Sequence, residues 1–118
     1  MKVMIKCLLV SVLLLGNQVY AESLRPFNVS SRLEIEKAYQ GQPMILAFWS
    51  LDCVYCLDEL STLGNVVKQH PKINLVLVNT DGLISSQEVI KALKQVHLPA
   101  RYEVWQFAEA DEERLRYS

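Results

Sequence analysis

Cys53 and Cys56 are the residues of this 118-residue chain whose type and spacing could do chemistry. A Cys-x-x-Cys pair supports thiol–disulfide exchange. The first thiolate attacks a partner disulfide and the second resolves the mixed disulfide. The attacking sulfur needs backbone N–H donors and a helix dipole to stabilise its charge, as a helix N-terminus provides. The flanking residues offer that setting. Met44–Trp49 is a continuous apolar run with the length of a strand buried on both faces. From Val54 to about Gln69 the apolar positions 56, 57, 60, 63, 66 and 67 keep helical spacing. The pair therefore falls on a strand-to-helix turn, with Cys53 expected at the start of the helix.

Other chemistries for the pair stay open at this point. A zinc site needs two further ligands, and His70 and His97 lie far off in sequence without ligand spacing. A copper-binding module built on Cys53, Cys56 and a distant His meets the same shortage. A purely structural disulfide would close a tiny loop and constrain the unfolded chain little. The strand–Cys-x-x-Cys–helix context favours the redox reading. No metal or cofactor is expected.

The elements that must position the pair read as an alternating series. Glu22 to Asn28 is an irregular lead-in, and the Asn28-Val29-Ser30 sequon within it is taken as chance. Ser31-Arg32-Leu33-Glu34 is a capping-box pattern opening a helix to about Tyr39, which Gly41 and Pro43 end. Ile73–Val78 predicts a second buried strand, and Asp81-Gly82 predicts a turn after it. Ser85-Ser86-Gln87-Glu88 predicts a second capping box. Its helix carries Val89, Ile90, Leu93 and Val96 on one side and stops by Pro99. Tyr102–Phe107 predicts a third strand, with Trp105 and Phe107 in the core, and Asp111-Glu112-Glu113 a last helix. This order, α-β-α-β-α-β-α, predicts an α/β domain with a central, mostly parallel sheet and flanking helices.

Composition agrees with one globular domain: 51% of residues are apolar and 21% charged. With 12 basic against 13 acidic residues, nothing points to a nucleic-acid partner. Lys2 and Lys6, the apolar run Cys7–Leu15 and the break at Gly16-Asn17-Gln18 have the layout of a secretory signal peptide over residues 1–21. The run is short for a bilayer core, so cleavage after Ala21 is expected, and a membrane anchor only if the segment is retained. Removal takes Cys7 away and leaves two cysteines in an oxidising compartment, the periplasm.

Phe48-Trp49-Ser50-x-x-Cys53-x-x-Cys56 on such a turn resembles the thioredoxin superfamily. With the export signal and the extra helix and strand at 85–107, the chain is similar to its TlpA/ResA-type branch of extracytoplasmic thiol–disulfide oxidoreductases. The resemblance covers about residues 30–118. It implies that Cys53 is the exposed nucleophile and Cys56 the buried resolving thiol, the two forming a redox-active disulfide. It also implies clients among disulfide-bearing exported proteins such as apocytochrome c, and a membrane thiol carrier as reductant. Glu59 matches a glutamate of ResA-like members and reads either as a proton carrier for Cys56 or as a solvated first-turn acid. Trp49 and Tyr55 are the candidate substrate contacts, with packing and bland exposure as their competing readings.

The departures from that pattern are specific. Asp52 stands where many relatives have Trp, and a carboxylate there opposes thiolate formation. Ala47 stands where thioredoxins bury an Asp, and Ser61 where a Pro often kinks the active-site helix. The superfamily's cis-proline loop, terminal hairpin and last helix have no counterpart through Ser118, and Pro99 comes too early to supply that proline. Residues 22–118 are therefore expected to be a thioredoxin-like domain that is partial, either a fragment of a longer protein, the reading preferred here, or a degraded family member. The alternative from another class is a non-catalytic adaptor or a copper metallochaperone.

Overall fold

The computed structural model describes residues 24–99 and 101–108. The export signal expected over 1–21 and the last helix expected from Asp111 lie outside the described residues. Within them run β1 (Arg25–Phe27), α1 (Ser31–Ala38), β2 (Met44–Trp49), α2 (Cys56–Gln69), β3 (Asn74–Asn79), α3 (Ser86–Leu93) and β4 (Glu103–Phe107).

The four strands form one sheet in the order β1-β4-β3-β2, and all three pairings are parallel. β3 reads as a buried strand because it lies inside the sheet, and Leu75 through Asn79 are all buried. β2 differs from the sequence expectation. Among the described residues it has a sheet neighbour on one side only, most of it is half-buried, and Phe48 is 46% exposed. β1 replaces part of the irregular lead-in. Three residues around Pro26 carry no readable alternation, and the strand forms through its distant pairing with β4. Pro26, which has no N–H to give a ladder, sits on the β1 edge where its loss is tolerated.

Side chains alternate between two layers, as a pleated sheet requires. Trp49, Leu75 and Leu77 face α2 and α3 and pack with Leu60, Val67, Val89, Leu93 and Val96. Val76, Val78, Trp105, Phe107 and Phe27 face α1, packing with Ile35. The Trp105 and Phe107 expectation therefore holds. Phe27, Phe48 and Phe107 meet there with ring centroids 5.7–6.4 Å apart.

The helix caps separate into one expected and one not. Ser85 caps α3, its Oγ accepting from the Glu88 N–H at 3.3 Å. Ser31 does not cap α1. It is the first helical residue, and its Oγ accepts instead from the Asn28 N–H at 2.9 Å, while Glu34 reaches Arg25. α3 ends at Leu93, earlier than its apolar pattern; Val96 continues into the core from the following turns. α2 runs unbroken through Ser61 to Gln69. Gly64 lets it lie against the segment after α3, since a Cβ there would stand 2.1 Å from the His97 carbonyl oxygen.

Candidate functional site

The cysteines lie where three parallel strands deliver their following loops to one end of the sheet. The chain leaves β2 at Trp49 and turns through Ser50–Cys53, with the Cys53 N–H donating to the Ser50 carbonyl at 3.2 Å. A second turn follows, the Cys56 N–H donating to the Cys53 carbonyl at 3.2 Å. α2 begins at Cys56, not at Val54, because this second turn closes first. Cys53 thus precedes the helix, and Cys56 is its first residue. Their sulfurs form a disulfide, with Cα atoms 5.3 Å apart. Cys53 is exposed and Cys56 half-buried against the α2–α3 layer.

The other candidates divide. Tyr55, between the cysteines, is 71% exposed, and Val54 beside it 84%. Asp52 is exposed, its N–H donating to Ser50 Oγ. Glu59 is exposed in the first turn of α2, on the same side as Cys56 by helical spacing. Trp49 is only 2% exposed and belongs to the core, so the packing reading describes it and no face of its ring is open to a partner. Among the described residues its indole N–H has no hydrogen-bond partner. Ala47 packs in the same layer, so β2 brings no carboxylate beneath the disulfide. His70 and His97 are both exposed.

One residue of the site has a larger part than its sequence suggested. Asp81 reads as a turn residue, and it does follow β3, but it is 5% exposed and takes three donors on its carboxylate. Oδ1 accepts from Ser50 Oγ at 2.9 Å. Oδ2 accepts from the Leu51 N–H at 2.8 Å and from Asn79 Nδ2 at 2.9 Å. Its own N–H donates to Asn79 Oδ1 and its carbonyl accepts from Gln106 Nε2, both at 2.8 Å. Trp49, Asn79 and Gln106 occupy one register row across β2, β3 and β4. The sequence did carry a signal for this cluster. Asn79 and Gln106 are amides at the ends of buried strands, where an unpaired polar group is costly.

No protein-family model matches the sequence, and no curated protein matches it. Among solved structures the chain is similar to a secreted Mycobacterium tuberculosis disulfide oxidoreductase homologous to E. coli DsbE. The identity is 21%, the TM-score 0.56, and the match covers 70% of this chain. The chain spans 57% of that structure's length. The described residues therefore have a thioredoxin-like α/β fold, with a Cys53–Cys56 disulfide on the turn between β2 and α2.

Proposed function

We propose that the chain is a thiol–disulfide oxidoreductase that reduces disulfides in exported proteins. The observation that carries this reading is the Cys53–Cys56 disulfide, with one sulfur-bearing residue exposed and the other half-buried at the head of α2. In the reduced form the Cys53 thiolate attacks one sulfur of a client disulfide. The client S–S bond breaks, a Cys53–client mixed disulfide forms, and the first client thiolate leaves and takes a proton. Cys56, as thiolate, then attacks Sγ of Cys53, which releases the second client thiolate. Two electrons pass to the client, two protons leave the cysteine pair for it, and the Cys53–Cys56 bond is restored.

Each neighbouring residue has a part in this scheme. Glu59 accepts the Cys56 proton, directly or through water, as Cys56 becomes the attacking thiolate. Tyr55, exposed between the cysteines, meets the client chain. Cys53 carries the bond because it is exposed, whereas Cys56 is half-buried and offers less of its surface to a client. A membrane thiol carrier returns the pair to the dithiol, and apocytochrome c is the type of client the resemblance to the TlpA/ResA branch suggests. Export by residues 1–21 to the periplasm belongs to the same reading.

Reduction of insulin disulfides by dithiothreitol tests it, with the full chain and its Cys53→Ser variant compared. Wild type should accelerate insulin precipitation, and the variant should fall to the rate of dithiothreitol alone. Equal rates for the two proteins overturn the enzyme reading. Stoichiometric copper retention by a wild type without exchange activity would favour a metallochaperone.

A further inference from the structure

We infer that Asp81 is a positioning residue for the Cys53–Cys56 pair, holding the Ser50–Cys53 turn so that Cys53 stays within bonding reach of Cys56. The inference rests on the thiol–disulfide reading above and assigns a part to a residue outside the Cys-x-x-Cys segment.

Two of the three donors on the Asp81 carboxylate come from that turn: the Ser50 hydroxyl and the Leu51 N–H. The Ser50 hydroxyl passes the restraint on, since its Oγ accepts from the Asp52 N–H at 3.1 Å. The Ser50 carbonyl takes the Cys53 N–H. Every backbone N–H from Leu51 to Cys53 is thereby tied to Asp81 or to the serine it holds.

The other side of Asp81 is fixed to the sheet interior. Asn79 grips both its carboxylate and its N–H. Gln106 on β4 holds its carbonyl, and the same amide reaches the Ile84 carbonyl at 2.7 Å and Ser86 Oγ at 2.9 Å. Asn79 and Gln106 are themselves buried. The turn before Cys53 is thus fastened to the rigid rows of β3 and β4 and to the head of α3. An aspartate serving its own turn alone would have no need to be buried, because carboxylates are costly to remove from water. Among the described residues no lysine or arginine forms an ion pair with Asp81. Its charge is satisfied by hydrogen bonds whose donors lie mainly in the cysteine turn.

A held turn raises the effective concentration of one thiol toward the other and so favours the disulfide. Loss of Asp81 frees the turn, weakens the disulfide relative to the dithiol and makes the pair more oxidising.

The test is the equilibrium of the full chain with reduced and oxidised glutathione, read by thiol trapping, for wild type, Asp81→Asn, Ser50→Ala and Tyr39→Phe. Asp81→Asn should lower the equilibrium constant for disulfide formation about tenfold, equal to about 30 mV in potential. Ser50→Ala should lower it about threefold, because the Leu51 donor remains. Tyr39→Phe, at the opposite end of the sheet, should match wild type. A general loss of stability does not produce this pattern, since both redox forms share the fold. If Asp81→Asn does not fold, Ser50→Ala decides. Variants at positions 81 and 50 that match wild type overturn the positioning part alone. A wild type that forms no equilibrium with glutathione overturns the oxidoreductase reading instead.

Discussion

Each end of the sheet is organised around one carboxylate, and the two are bonded differently. At the start of the strands Glu103 Oε1 accepts from Arg25 at 2.6 Å and from Trp105 Nε1 at 2.8 Å, and Oε2 accepts from the Tyr39 hydroxyl. Arg25 also pairs with Glu34 at 3.0 Å and lies 4.0 Å over the Trp105 ring. That carboxylate meets a cation and ties β1, α1 and β4 to one another. At the far end Asp81 meets backbone and neutral side chains, and its bonds run into the turn before Cys53. One end fastens secondary structure, whereas the other directs a loop. The same side-chain chemistry serves two purposes according to whether its donors belong to the frame or to the site.

The comparison breaks first at Asp81. Asp81→Ala leaves the Leu51 N–H and the Asn79 amide buried with no acceptor, so about 3 kcal/mol of stability should be lost. Urea unfolding measures this, and a loss below that of Glu103→Gln would show that the loop bonds are dispensable. Glu103→Gln should cost about 1 to 2 kcal/mol, because Arg25 keeps Glu34 and the site is partly open to water. Its glutathione equilibrium should stay at the wild-type value; a shift as large as that of Asp81→Asn would erase the division between the ends. The smallest effect is at Tyr39. Its hydrogen bond to Glu103, and then burial, push its phenol from 10.0 up to about 12. The folded state therefore holds the phenol proton more tightly than the unfolded chain. This contribution is complete below pH 10 and is lost as pH rises through 12. Tyr39→Phe should flatten the fall in stability over that range while leaving the rest of the pH profile unchanged.

Legibility in the sequence followed how local each cause was. β2, β3 and α3 could be placed closely because apolar runs and the Ser85–Glu88 box act within a few residues. β1 could not, since it exists through pairing with residues some eighty positions later. The same distance hid the end of β2's burial: whether a strand is interior or on an edge is decided by its neighbours, not its composition. The cysteine pair was plain from spacing and context. Asp81 looked like a turn residue because its turn chemistry is local, while its reach to Ser50 and Leu51 spans about thirty positions. Glu103 and Gln106 seemed to interrupt a strand, yet each has partners from other elements that complete its bonding.

Gly64 has a use beyond packing. It lies about two helical turns beyond Cys56, on the rod that begins at the disulfide, and its missing methyl admits the His97 backbone. No other amino acid fits without moving main chain. The helix that carries Cys56 and the segment after α3 therefore share a seam set by this one position, and a methyl group there would have to part them.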